Sequence, residues 1–260
     1  MKLSEIEKIG HIPNNTIVNA DCLEAMKYIP DKSIDCIICD LPYGTTACKW
    51  DTIIPFEPLW EQYKRIRKDN TPIVLFGSEP FSTYLRMSNI NEFRYDWIWH
   101  KSIPTGFLQA KYMPMKNHEI VSVFYKKIGV FNPIKEKRSD NTHTFVNGGI
   151  YESKSEHVKF SCIRKETDKD RNPTTVKYFG NVSRHQSLHP TQKPTALLEY
   201  LIKTYSNESD LILDNCSGSG STAIAAYNTR RNFICIEKDE KYYNTSIKRL
   251  EDAQAQLRLL

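Results

Sequence analysis

The stretch Leu211-Ile212-Leu213-Asp214-Asn215-Cys216-Ser217-Gly218-Ser219-Gly220-Ser221-Thr222 carries the most information about how this chain folds. Three apolar residues read as a buried strand, small polar residues and two glycines as a tight loop, and 221–228 as a helix opening straight from it. A strand, a glycine loop and a helix N-terminus form the start of an α/β unit, and free N–H groups at the helix start suit a nucleotide-like ligand. The same turn could be plain architecture. A second element adds weight: Phe233-Ile234-Cys235-Ile236 reads as the next strand and ends in Glu237, where a carboxylate can accept hydrogen bonds from ribose hydroxyls. Ala223 stands where a third glycine would complete the dinucleotide pattern, a replacement such folds tolerate.

Outward from this stretch, short β-rich runs alternate with helical patterns, the signature of a parallel sheet. Strands are expected at 16–20, 33–39, 72–77, 211–213 and 233–236, and helices at 23–29, 56–67, 80–88, 195–205, 221–228 and from 240. The runs 94–99 and 119–125 read as an antiparallel pair. The expected fold class is therefore α/β, a Rossmann-like, doubly wound, mostly parallel sheet with an antiparallel edge. Between 131 and 188 the apolar runs vanish and Asn, Ser, Thr, Lys and Tyr dominate, which reads as a small irregular insertion. The main domain is then 1–130 with 189–260.

With 260 residues, 40% of them apolar, the chain can bury a sizeable core. No apolar run reaches the roughly 18 residues of a membrane span, and the mixed, charged start Met1-Lys2-Leu3-Ser4-Glu5 is unlike a signal peptide. No membrane and a cytoplasmic location are expected. Cys36 and Cys39, three apart on a strand, face opposite sides and cannot share a metal ion; the seven cysteines read as reduced thiols and no metal is expected. Net charge is +5, and the 131–188 segment holds eleven Lys/Arg against seven Asp/Glu, a distribution that suits a polyanion or a plain solvated surface.

Asp40-Leu41-Pro42-Tyr43 follows the apolar run 36–39. It sets an acid at the carboxyl edge of the sheet, where α/β sites form. A ring amine is a poor nucleophile because its lone pair is delocalised. The Asp40 carboxylate and the Leu41 carbonyl can accept both amine hydrogens, Pro42 stiffens the turn, and Tyr43 offers a face on which an extruded base can stack. An ordinary strand-to-loop turn is the plainer alternative. The glycine loop by itself fits NAD as well as S-adenosylmethionine.

Taken together, Asn19-Ala20-Asp21-Cys22-Leu23-Glu24, then Asp40-Leu41-Pro42-Tyr43-Gly44, Asn117-His118-Glu119, His189-Pro190-Thr191-Gln192-Lys193-Pro194 and the 214–222 loop resemble successive motifs of the beta group of DNA amino-methyltransferases. In that group the amine site precedes the cofactor loop, a circular permutation of the usual order. The resemblance covers nearly the whole chain outside 131–188. It implies S-adenosylmethionine as cofactor, with Asp214, Cys216, Gly218, Gly220, Ser221 and Thr222 around its methionine part and Glu237 at its ribose. It places Asp21 and Cys22 beside its adenine, and His189, Thr191 and Lys193 near its methionine end. It makes Asp40, Leu41, Pro42 and Tyr43 catalytic, with Asp40 also facing the cofactor, and the 131–188 insertion a target-recognition region. Two departures stand out: Leu41 where the family often has proline, and Cys216 where it often has phenylalanine.

The activity so implied is transfer of a methyl group to adenine N6 in double-stranded DNA, since the tetrapeptide begins with Asp, whereas serine would favour cytosine N4. Cytosine N4 is the alternative, and a non-catalytic DNA-binding module a more distant one. The same resemblance implies a restriction–modification or phage setting, a homodimer, and a cognate restriction endonuclease as partner.

Overall fold

The computed structural model describes residues 1–44, 51–137, 150–152, 161–163, 170–182, 188 and 191–258. The chain forms two compact units, Met1–Asn132 with Thr175–Leu260, and Pro133–Thr174. In chain order the elements of the first unit begin with α1 (Leu3–Ile9), β1 (Thr16–Asn19), α2 (Cys22–Met26), β2 (Cys36–Cys39), α3 (Phe56–Ile66), β3 (Ile73–Gly77), α4 (Phe81–Ser88), β4 (Phe93–Thr105) and β5 (Lys116–Phe124). The second unit contributes two small antiparallel ladders, β6 (Glu136–Lys137) with β9 (Asp170–Arg171), and β7 (Ile150–Glu152) with β8 (Ser161–Ile163). The first unit resumes with β10 (Val176–Phe179), α5 (Thr195–Tyr205), β11 (Leu211–Asp214), α6 (Ser221–Asn228), β12 (Asn232–Glu237) and α7 (Glu240–Arg258).

The large sheet runs β1-β12-β11-β2-β3-β5-β4-β10. Pairings from β1 to β3 are parallel, β5 is antiparallel to both its neighbours, and β10 is parallel to β4. The expected α/β class with its antiparallel edge holds. Two details depart from the sequence reading. Residues 176–179, placed in the insertion, form an edge strand of the main sheet, because Val176 to Phe179 pair with Ile98 to Lys101. The charged N-terminus forms α1, which contributes Ile6 to the core and leaves its other side chains more exposed, so its sequence shows little periodicity.

Helices cover both faces, which is why the central strands are apolar throughout. One core packs Leu59, Trp60, Tyr63 and Ile66 of α3, Met26 of α2 and Phe81 of α4 against the sheet. The other packs Leu197, Leu198, Leu201 and Ile202 of α5 and Ala223, Ala225 and Ala226 of α6. The α3 set recurs at 59, 60, 63 and 66, a single helical stripe. Cys39 lies in the first core and Cys36 in the second, on opposite faces as their spacing requires.

The strand order fixes where a site can form. From β11 the chain turns through α6 to β12 on one side; from β2 it turns through α3 to β3 on the other. Ile212 and Leu213 pair with Cys36 and Ile37, so Asp214 and Asp40 both leave the same edge of the sheet. Loops diverging from two adjacent parallel strands open a crevice at their carboxyl ends, the usual place for an α/β ligand site.

Candidate active site

A cavity of about 680 Å³ occupies that crevice. It is lined by Asp21, Cys22, Asp40, Leu41, Pro42, Tyr43, Thr191, Lys193, Asp214, Cys216, Gly218, Ser221, Thr222 and Glu237. One fold feature thus gathers motifs from both ends of the sequence. Volumes of roughly 300–1,000 Å³ are those of small-molecule sites. Of the residues singled out in the sequence, His189 lies outside the described residues and Gly220 does not line the cavity.

At one end, the buried strand β2 delivers Asp40. Its Oδ1 accepts from the Tyr43 hydroxyl at 2.5 Å and its Oδ2 from the Lys193 ammonium at 2.5 Å. Lys193 is buried, 3.3 Å from Glu119 Oε2, and Glu119 pairs on its other oxygen with Lys101. The result is an alternating chain, Asp40–Lys193–Glu119–Lys101. Burial pushes the Asp40 carboxyl above the ordinary carboxylate range, and Lys193 pulls against it. Burial would also raise Glu119, but Lys193 and Lys101 outweigh it and hold that carboxyl below its ordinary value. Burial alone would lower Lys193; the two carboxylates reverse this and raise it. A buried charge is tolerated where such partners surround it.

Tyr43 does more than offer a face. Its ring lies 5.1 Å from that of Phe81, tilted 32°, and its hydroxyl is tied to Asp40. The acid is thereby held by a neighbour three residues on and by a lysine 153 residues away.

Glu119, part of the Asn117-His118-Glu119 motif, also lines the cavity, a role the sequence did not assign to it. The signal available was an acid one position before a run that alternates into the core, Ile120-Val121-Ser122-Val123. Lys193, expected near the cofactor's methionine end, lines the cavity and has its ammonium against Asp40.

At the other end, the glycine loop is organised by its own carboxylates. Asp214 accepts from the Cys216 N–H at 3.0 Å and the Thr222 hydroxyl at 2.5 Å, and burial raises its pKa to about 6. Glu237 accepts from the Gly218 N–H and the Asp239 N–H, each at 2.7 Å, and burial raises it to about 7. Asp21 caps α2 by accepting from the Leu23 N–H at 3.0 Å and pairs with Lys238 at 3.1 Å. Tyr63, fully buried, donates to Asn215 Oδ1 at 2.5 Å and braces the loop from α3. A hydrogen bond between Cys22 and Cys216 lowers the Cys22 thiol, against burial that raises it.

Gly220 has a packing role. Its φ of 80° is left-handed, and a Cβ there would come within 2.6 Å of Ser246 Cβ on α7. The loop's second glycine therefore lets α6 and α7 approach each other.

Buried Ser217 Oγ lacks a hydrogen-bond partner and lines the cavity. Together with the acids Asp21 and Glu237 at the same end, it fits a cofactor carrying ribose hydroxyls and polar groups.

Fold and site together define an α/β enzyme with a nucleotide-type pocket opening onto a strand-end carboxylate. A family model described as "DNA methylase" matches residues 34–248, and the chain belongs to that family. It is 29% identical to the type II methyltransferase M.HinfI of Haemophilus influenzae, over 92% of this chain and 68% of that protein. It is also 29% identical to the DNA adenine methyltransferase YhdJ of Escherichia coli (strain K12), over 92% of this chain and 83% of that one. The crystal structure of the M1.HpyAVI–SAM complex superimposes with a TM-score of 0.60 at 26% identity, covering 90% of this chain and 99% of that chain. The cytosine-N4-specific PvuII DNA methyltransferase, at 14% identity and a TM-score of 0.65 over 95% of this chain and 93% of that chain, shares the fold.

Proposed function

We propose that the protein is a site-specific DNA methyltransferase that uses S-adenosylmethionine to methylate adenine N6 in duplex DNA. The observation that carries this is the shared cavity: Asp40, held by Tyr43 and Lys193, faces the same space as the 214–222 loop and Glu237. Relatives named as type II and adenine methyltransferases, and a neighbouring structure holding the cofactor, support the reading.

The residues that would hold the cofactor are Asp214, Cys216, Ser217 and Gly218 around its methionine part, Glu237 at its ribose, and Asp21 and Cys22 at its adenine. Bound there, it supplies an electrophilic methyl group on a sulfonium. The chain's own work is to receive and orient the amine. The target base must leave the duplex, at a cost of about a few kcal/mol of unstacking. Asp40 Oδ1 or Oδ2 and the Leu41 carbonyl accept the two amine hydrogens, each carboxylate oxygen having lone pairs beyond its present bond. The amine is thus fixed with its lone pair toward the cofactor end. Asp40 then opposes the positive charge developing on nitrogen, and Lys193 pulls the Asp40 carboxyl down against the burial that raises it.

Residues 131–188 are assigned to target recognition, with 1–130 and 189–260 as the methyltransferase domain. The same reading includes a homodimer, a cognate restriction endonuclease and a cytoplasmic setting. Among the described residues, no helix is long and apolar enough to cross a membrane.

The test is to incubate purified protein with genomic DNA and S-adenosylmethionine, digest to nucleosides and weigh the products. N6-methyladenine is expected. N4-methylcytosine would move the enzyme to the alternative target, and no modified base would overturn the reading.

A further inference from the structure

Strands β4 and β5 run beyond the sheet as a hairpin. β4 is buried or half-buried from Tyr95 to Lys101 and exposed from Ser102 onward, and β5 is exposed from Lys116 to His118. Between them the chain carries large apolar side chains into solvent: Phe107 is 77% exposed, Leu108 92% and Tyr112 87%. A cluster of this size on a surface marks a binding face.

Its charge says what kind of partner it fits. From Ser102 to His118 there is no Asp or Glu, while Lys111 and Lys116 are both present and exposed. A face of this kind meeting its own copy would set lysine against lysine with no acid to answer them. A polyanion with apolar surface between its charges answers both features, and duplex DNA has phosphates outside and stacked bases within.

The hairpin also starts at the active site. Trp99 pairs with Glu119, which lines the cavity, and Thr105 pairs with Lys116 further out. Six residues of strand extend about 20 Å, less than one turn of a duplex, so the tip is within reach of the DNA around the base being modified.

Building on the methyltransferase reading above, we propose that the β4–β5 hairpin is a wedge that enters the duplex beside the target base. Phe107, Leu108 and Tyr112 stack into the gap that the extruded base leaves, and Lys111 meets the flanking phosphate. The wedge offsets the unstacking cost, so its contribution depends on the target being paired.

That dependence supplies the test. The full-length triple variant Phe107→Ala/Leu108→Ala/Tyr112→Ala, and separately Leu108→Asp, are compared with wild type on the duplex site mapped for the wild-type enzyme. A second duplex places the target adenine opposite an abasic position, where it is already unpaired. Cofactor binding by calorimetry, expected unchanged, reports that the variants fold. Methylation of the paired duplex is expected to fall at least about tenfold in kcat/KM, and that of the unpaired duplex to stay within about threefold of wild type. Unchanged activity on the paired duplex overturns the wedge. Equal loss on both duplexes overturns it too, as does loss that tracks dissociation of a wild-type dimer by light scattering. A wild type that methylates no DNA overturns both this proposal and the reading beneath it.

Discussion

The two ends of the cavity treat their buried carboxylates differently. At the tetrapeptide end, Asp40 and Glu119 alternate with Lys193 and Lys101, so each negative charge has an ammonium beside it. At the glycine-loop end, Asp214 and Glu237 are held by backbone N–H groups and a hydroxyl, with pKa values raised to about 6 and about 7 by burial. Counter-charges pull a buried acid back toward its ionised form, enough to hold Glu119 below its ordinary value though burial still leaves Asp40 raised, while neutral donors oppose burial less strongly. The first arrangement suits an acid that must oppose developing positive charge. The second suits acids that organise a loop and accept from neutral hydroxyls.

The strongest way to break this contrast is Asp40→Ala. Methyl transfer is expected to drop by at least about 10³-fold, the scale of losing a preorganised transition-state partner. Calorimetric affinity for S-adenosylmethionine should stay close to wild type, and full activity in the variant would remove Asp40 from the chemistry.

Removing the counter-charge comes next. Lys193→Met leaves Asp40 and Glu119 as neighbouring buried acids without their shared cation, so the Asp40 pKa rises further. On the proposed mechanism the ionised form is the active one, so the acid limb of the kcat profile should move to higher pH. Loss at neutral pH is expected at about 10²-fold. An unmoved limb would show that Lys193 serves the cofactor rather than Asp40.

Glu237 sharpens the other end. Its folded pKa of about 7 lies above its ordinary 4.5. Its contribution to apoprotein stability is therefore fully present below about 4.5 and lost as pH rises through about 7. Since a carboxylate accepts ribose hydroxyls better than a carboxylic acid does, cofactor affinity should strengthen from pH 6 to 8. Calorimetry across that range should find the trend in wild type and a flat profile in Glu237→Gln. The smallest effect is Gly220→Ala: a left-handed φ and a Cβ clash with Ser246 predict destabilisation of about 1–3 kcal/mol by denaturant unfolding. Cofactor binding under native conditions should change little, because Gly220 does not line the cavity.

Much of this was legible in the sequence. Apolar runs bounded by turn residues marked β2, β3, β11 and β12, since strands covered on both faces must be apolar throughout. Asp40 and Glu237 were readable because each ends such a run. Harder to read was anything set by contacts between distant segments. Motif position set Lys193 near the cofactor, and nothing in its local sequence says that its ammonium meets Asp40, 153 residues away in sequence. Glu119 sits at the start of a buried run, and no local pattern says that it faces Lys193 rather than solvent. Val176–Phe179 lay in a polar stretch and still joined the sheet, because an edge strand needs only one neighbour.

By itself, then, the sequence determined the α/β class and which acids stand at strand ends, since both follow from local periodicity and turn chemistry, while the order of amine site and cofactor loop was read from the family resemblance. Tertiary structure alone decided that β11 lies beside β2, bringing Asp214 and Asp40 to one crevice, and that Asp40 is balanced by Lys193. Those outcomes depend on strand order and on burial, and both are properties of contacts between segments far apart in the chain.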